Sequence, residues 1–410
     1  MSRISKFFFL VTLWSFAALS TSAQRQYVTV TGIPPVRDGA HAGADYDGDG
    51  DGDVFITGRQ ADGTLQAVLY KFLRRRVVRD NPLAQPSVFA DYQEVPFAKT
   101  SVIKGSVTWQ DFNRDGRPDL IVTGLSLTGY TPGNVEILTP STVIYLNRGS
   151  DAFQIAPSTG LPGIYNSRVA AGDFNGDGFQ DVVMGGQSSS GLVFGVWLAN
   201  SAQRFTPGPT TFSGLQVNSI SVADIDRDGD LDFVVTGTDD QSIAHLRMYS
   251  NDGSAHFTEV PTSLPSLYFG GTAFGDVDFD GDVDLLINGG HLGPSIMRGE
   301  TSLYLNDGTG TFTKSNAQLT GLYGGGVSLI DIDRDADADI FSWGIENINQ
   351  IGSEKIVAAE NIDLFLLPIG TAYSVINGFV DIFDYDGNGR KDAFLSGDVG
   401  GNRAIFIYEY

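Results

Sequence analysis

The stretch Asp276-Val277-Asp278-Phe279-Asp280-Gly281-Asp282-Val283-Asp284, followed by Leu285-Leu286-Ile287 and Gly289, restricts the fold more than any other part of the chain. Acids alternate at positions 1, 3 and 5, a glycine stands at position 6, and another acid stands at position 9. Oxygen ligands at this spacing suit one hard cation such as Ca²⁺, and the glycine permits the sharp turn that wraps the loop around it. An EF-hand would place a bidentate Glu at position 12, where this chain has Ile287. The acid at position 9 must therefore close the site. The apolar run after it reads as a strand, so the loop joins two strands of a hairpin.

The pattern occurs seven times, starting at Asp45, Asp111, Asp173, Asp224, Asp276, Asp331 and Asp384, at intervals of 66, 62, 51, 52, 55 and 53 residues. A recurring period of this size is the signature of a repeat architecture. The candidate ligands are Asp45, Asp47, Asp49, Asp51 and Asp53 in the first loop, and Asp111, Asn113, Asp115, Arg117 and Asp119 in the second. The third offers Asp173, Asn175, Asp177, Phe179 and Asp181, and the fourth Asp224, Asp226, Asp228, Asp230 and Asp232. The fifth offers Asp276, Asp278, Asp280, Asp282 and Asp284, and the sixth Asp331, Asp333, Asp335, Asp337 and Asp339. The seventh offers Asp384, Asp386, Asn388, Arg390 and Asp392. In the sixth loop Ala336 replaces the glycine, which predicts a strained turn or weak binding there.

Residues 1–23 read as a secretory signal: Arg3 and Lys6 lead, Phe7 to Leu19 form an apolar core, and Thr21-Ser22-Ala23 offers small residues for cleavage. The apolar run is too short to span a bilayer. Residues 24–410 are then one exported domain, and the absence of cysteine leaves no disulfides to staple it. The formal charge of −23 argues against nucleic acid or anionic lipid as a partner. Of the 49 acidic residues, 25 sit at positions 1, 3, 5 and 9 of the loops, so the acidity is mainly that of the candidate cation sites.

Around each loop the same unit recurs. Before it, period-2 alternation such as Ile220-Ser221-Val222 marks a first strand, with Gly39, Gly105, Ser167, Asn218, Gly270, Gly325 and Gly378 six residues ahead of the loop. These small residues suit a point where the strands converge. A second strand ends in glycine. A third ends at an Asn-containing turn, as in Tyr304-Leu305-Asn306-Asp307-Gly308, and Phe312 opens a fourth. Asn and Gly there tolerate positive φ and suit tight hairpins.

Four-stranded antiparallel units repeated radially make an all-β, seven-bladed β-propeller. The last repeat lacks a fourth strand, and Tyr27 to Gly32 can supply it, closing the ring and covering both edges. A parallel β-solenoid is the structural alternative, with usually shorter repeats. The Asp331 repeat shows no clear turn between its third and fourth strands from Asn361 to Gly378, so irregularity is expected at its rim.

The constellation of acidic loop, apolar strand, Gly, Tyr-x-Asn-x-Gly and Phe resembles the FG-GAP, or VCBS, repeat family, which includes the propeller of integrin α chains and many exported bacterial proteins. The resemblance covers the chain after residue 23. It implies a seven-bladed ring with up to seven Ca²⁺ between first and second strands, closer to the bacterial members because every repeat carries a loop.

Ions filling each site to ten times the dissociation constant would add about 1.4 kcal/mol per site, on the order of 10 kcal/mol for seven, which rivals the net stability of a domain. A structural role for the ion is therefore expected. Ligand contacts are expected on the opposite face. Eight residues before each loop stand Arg37, Ile103, Tyr165, Gln216, Tyr268, Tyr323 and Ile376. Of these, Arg37, Tyr165, Tyr268 and Tyr323 are candidate contacts to a sugar or peptide, the bland reading being that they wedge blades apart. The segments Gly124 to Pro140, Gly289 to Glu300 and Gly344 to Ala358, with Tyr130, His291 and Arg298, are a second candidate surface, read as loops. Four histidines, His41, His245, His256 and His291, give no catalytic order with Ser or Asp and no zinc spacing. The expected function is a secreted, monomeric binding or adhesion module for an extracellular glycan or protein, without catalysis. The alternative is a polysaccharide lyase or glycoside hydrolase with its site at the channel mouth.

Overall fold

The computed structural model describes residues 26–79, 87–97, 99–292, 297–332, 334, 337–346, 354–362, 365–373, 376–399 and 402–409. The expected leader, residues 1–23, lies outside the described residues. Among those described no helix is long and apolar enough to cross a membrane.

Each repeat folds into an antiparallel meander. In the Asp224 repeat the strands are Gln216–Ala223, Asp232–Thr238, Ala244–Asn251 and Phe257–Val260, paired in that order. In the Asp276 repeat they are Thr272–Gly275, Asp284–Leu292, Met297–Asn306 and Phe312–Lys314. The acidic loop joins the first strand to the second each time. From the first repeat to the sixth, first strands of successive repeats lie side by side, and Arg37–Ala44 of the first repeat meets Ile376–Phe383 of the last. The result is an all-β propeller of four-stranded blades.

The seven separate blades expected from the sequence are not what forms. Five blades stand as separate sheets, and the first and last repeats share one eight-stranded sheet. One of the five has an added strand because the first strand of the Asp111 repeat is split into Val102–Ile103 and Val107–Gln110. The shared sheet has a specific cause. The N-terminal strand Gln26–Thr31 pairs antiparallel with Asn402–Glu409, Val28 opposite Ile407, and so completes the last repeat. Its other edge pairs in parallel with Ser87–Val95, Val28 opposite Val88. That partner continues from the 14-residue strand Leu65–Val78, long enough to carry the first repeat out to meet it.

The second strand of each blade is buried on both faces, which explains why it reads as a continuous apolar run. Leu285 and Ile287 pack with Val234, Leu246 and Leu267 on one side, whereas Leu286 packs with Val327, Leu329 and Ile340 on the other. Fully burying each such side chain contributes about 1.5–3 kcal/mol. Alternate residues of one strand thus fasten a blade to both neighbours.

The small residues six before each loop serve a different purpose from convergence of the first strands. At Gly39, Gly105, Gly270 and Gly325 an added Cβ would lie 1.7–2.1 Å from the main-chain oxygen of Thr57, Thr123, Asn288 or Trp343 in the second strand of the same blade. Register shifts at this point, as between Tyr323 and Gly326, press the two strands together there. The turn asparagines are also not at positive φ. That conformation belongs to Gly149, Gly253 and Gly308, at 74–76°. In the Asp331 repeat the third and fourth strands are Glu354–Ile362 and Phe365–Tyr373, a close hairpin with a register shift at Ala358/Ala359. The expected loops are largely strand: Asp119–Tyr130 pairs with Glu136–Asn147, and Asp284–Leu292 with Met297–Asn306.

Candidate metal centres and channel mouth

The loops share one hydrogen-bond plan, set by where the carboxylates fall. In the Asp276 loop, Asp276 Oδ2 accepts the N–H of Gly281 at 3.0 Å, and Asp280 Oδ1 accepts that of Asp282 at 3.1 Å. Asp284, wholly buried, accepts Val277 N–H on Oδ2 and Asn306 N–H on Oδ1, both at 2.9 Å. The same two acceptances recur at Asp119, Asp181 and Asp232, at 2.7–3.1 Å. The position-9 acid therefore ties the loop to the end of the third strand.

Position 6 is left-handed, φ 81–96° at Gly50, Gly116, Gly178, Gly229, Gly281 and Gly389, as the sequence predicts. Position 4 is left-handed too, which it does not predict, because only three of seven residues there are glycine. Arg114, Arg227, Phe279 and Arg334 hold φ of 59–73° alongside Gly48, Gly176 and Gly387.

This plan leaves particular oxygens over. Asp224 Oδ1, Asp226 Oδ1, Asp276 Oδ1 and Asp278 Oδ1 are buried and have no hydrogen-bond partner, and neither has Asp384 Oδ1 or Asn113 Oδ1. Carboxylate oxygens of Asp276, Asp278 and Asp284 lie within 4.8 Å of one another. The trios Asp45/Asp47/Asp53, Asp224/Asp226/Asp232 and Asp384/Asp386/Asp392 do the same. One cation with ligand distances of about 2.3–2.6 Å can touch all three oxygens of such a trio. Positions 1, 3 and 9 fit a metal ion, and buried acceptors without donors are what such an ion satisfies. In the Asp111 and Asp173 loops, position 3 is an amide, Asn113 or Asn175.

The electrostatics agree. Burial, reinforced by neighbouring acids and opposed by the two N–H groups, pushes Asp284 and Asp181 up to about 7, Asp53 to about 8, and Asp119 and Asp232 to about 6. Burial followed by Asp280 raises Asp278 as well.

Other expected ligands are placed differently. Position 5 (Asp49, Asp115, Asp177, Asp228, Asp280 and Asn388) is exposed and supports the turn through the N–H of position 7. Asp51, Asp230 and Asp282 at position 7 stay outside the trios. Arg117, Phe179 and Arg390 have no side-chain ligand to give, so only a main-chain oxygen is available from them. Arg117 instead pairs with Asp115 at 2.5 Å, and Phe179 packs beneath Arg114. In the first loop Lys71 pairs with both Asp47 and Asp49. Asp331, Asp337 and Asp339 are described, with Asp339 accepting Ile332 N–H at 2.9 Å, whereas Asp333, Asp335 and Ala336 lie outside the described residues.

At the other end of the first strands, the residues seven before five of the loops share a left-handed backbone. Asp38, Lys104, Asn166, Phe269 and Gly324 hold φ of 45–72°. Lys104 N–H donates to Asp38 O and Asn166 N–H to Lys104 O, both at 2.6 Å, and Gly324 N–H donates to Phe269 O at 2.9 Å. Each bond crosses from one blade to the next. Asp38, Lys104 and Phe269 are exposed at this rim. They stand one residue along from the expected contacts, a shift caused by the left-handed residue, and only their repeated spacing could have flagged them.

Just inside lies a cavity of about 260 Å³ bordered by His41, Ser106, Arg168, Gly325 and Trp343. Arg37, Tyr165, Tyr268 and Tyr323 do not line it. Arg37 is exposed and pairs with Asp38 at 3.8 Å, and Tyr165 and Tyr268 are half-buried. Tyr323 is only 4% exposed and is a packing residue, which removes it as a contact. His41 borders the cavity, and burial lowers it to about 3, so it is neutral.

The family model of the FG-GAP-like repeat matches residues 111–184, 173–235 and 224–287. No curated protein matches the chain in sequence. Among solved structures, a fucose-specific lectin from Aleuria aurantia is 11% identical, with 82% of this chain and 97% of that one covered and a TM-score of 0.44. The polysaccharide lyase Uly1 is 14% identical, with 95% and 93% covered and a TM-score of 0.49. At these identities and scores the likeness is one of overall architecture alone.

Proposed function

We propose that this chain, which belongs to the FG-GAP repeat family, is a secreted, calcium-stabilised propeller of seven repeats that binds an extracellular glycan or protein without chemistry of its own. On this reading residues 1–23 are removed on export, and the ring, counted as seven blades with the shared sheet as two, acts as a monomeric adhesion module.

The observation that carries the reading is the division of the ring into two ends. At one end, buried oxygens without hydrogen-bond donors stand at position 1 or 3 of the Asp111, Asp224, Asp276 and Asp384 loops, an arrangement that supports a divalent ion there. At the other end three main-chain hydrogen bonds cross between blades, and Asp38, Lys104 and Phe269 are exposed beside them. Ca²⁺ suits the all-oxygen sites, and a rigid end positions variable side chains at the opposite one. The alternative, a polysaccharide-cleaving propeller, draws on one observation: neutral His41 and Arg168 border the same cavity.

The test is a panel of polysaccharides and extracellular glycoproteins scored for retention and for release of fragments, in Ca²⁺ and in chelator. Retention without fragments, lost in Phe269→Ala and Lys104→Ala while the fold persists, supports the binding module. Fragment release lost in His41→Ala would replace it with the cleaving enzyme.

A further inference from the structure

Arg168 lies in the first strand Tyr165–Gly172 of the Asp173 repeat and borders the channel cavity. Its only hydrogen bond among the described residues runs from Nη1 to the main-chain oxygen of Ser167, at 2.9 Å. No carboxylate pairs with it among the described residues, in a chain whose net charge is −23. The residue is exposed where it borders the cavity. Its remaining N–H donors are therefore available to an anion that enters the cavity. The second ionisable group that lines the cavity is His41, which burial holds well below its ordinary pKa.

The walls narrow the chemistry further. Trp343, partly buried, lines the cavity, and Ser106 adds a hydroxyl. A dry cavity of about 150 Å³ takes a benzene ring. One of about 260 Å³ takes a ring with substituents. Guanidinium pairs bidentately with carboxylate, and an aromatic face suits a ring packed flat upon it.

We propose that this cavity is a binding site for a sugar acid, with Arg168 pairing to the carboxylate of a uronate residue and Trp343 packing against its ring. The site deepens the binding-module reading and rests on it, and it names the ligand's charge.

The experiment uses the full-length exported chain loaded with Ca²⁺. Its Trp343 fluorescence and calorimetric heats are followed on adding D-galacturonate, D-galactose, acetate or sulfate. Galacturonate is expected to bind at least tenfold more tightly than galactose or acetate. Arg168→Gln is expected to weaken galacturonate by roughly ten- to a hundredfold, the range for a charged hydrogen bond. Trp343→Phe removes the fluorescence response with less than tenfold loss of affinity. Arg168→Gln is also expected to leave the melting temperature unchanged or raised, because it removes an unpaired charge, and a purely structural Arg168 would lower it. If Arg168→Gln does not fold, Arg168→Lys replaces it, with affinity expected between wild type and the absence of binding. Equal binding of acetate, sulfate and galacturonate would overturn the sugar-acid assignment, as would galacturonate affinity unchanged by either Arg168 variant. Retention of polymers at the mouth together with no galacturonate binding would overturn this inference alone. Absence of both would overturn the binding module itself.

Discussion

The side-chain amide of Asn306 donates to the main-chain oxygen of Ile225 in the preceding repeat at 2.8 Å, while its own main-chain N–H rests on Asp284 Oδ1. It also donates to Val283 O at 3.1 Å. Asn147 does the same to Tyr46 O, and Asn251 to Phe174 O, each at 2.8 Å. One asparagine thus fastens an acidic loop to the loop before it, which is a stronger reason for its place in the repeat than turn propensity.

Asn306→Ala removes the donor from the buried carbonyl of Ile225 and the part-buried one of Val283, so it is expected to lower stability by about 1–3 kcal/mol. Chemical denaturation in Ca²⁺ reads this directly. A variant within experimental error of wild type would show that the joint between the loops is dispensable.

The raised position-9 acids fix the sign of a pH dependence. With cation removed, Asp284 near 7 and Asp53 near 8 hold protons in the folded state that the unfolded chain has already lost above about 4. Burial is the leading cause at both. Between those limits the folded state binds more protons, so stability falls as pH rises. In chelator the melting temperature is therefore expected to be higher at pH 5 than at pH 8. In saturating Ca²⁺ the order reverses, since protons compete with the ion. A chelated protein more stable at pH 8 contradicts this.

Phe279 at position 4 is 68% exposed and has φ of 59°. Left-handed backbone costs a non-glycine residue on the order of 1 kcal/mol. Phe279→Gly is expected to raise the melting temperature, whereas Gly281→Ala at φ 88° lowers it. Thermal melts of both in Ca²⁺ decide the matter, and the same direction for both would contradict it.

The sequence carried the repeat, the strand order within a blade and the closing strand, because ligand spacing and burial period write themselves into residue types. Asp276, Asp278 and Asp284 were legible as a set for that reason. The position-5 acid was legible as an acid but not as a turn support, since Asp280 serves either role with the same side chain. Arg168 could not be singled out, because the absence of a partner is a fact of three dimensions. The parallel pairing of Val28 with Val88 was hidden as well, since it depends on how far two strands extend beyond their blade.

The central claim is that divalent cation holds this ring together, and bound Ca²⁺ per chain, measured together with the melting temperature as chelator is added, tests it most directly. At least four ions are expected, one for each trio of positions 1, 3 and 9, with linkage of about 1.4 kcal/mol per site at ten times the dissociation constant. Asp276→Asn should remove one ion and part of the shift. A chain that binds no Ca²⁺, or melts at the same temperature with and without chelator, would contradict it.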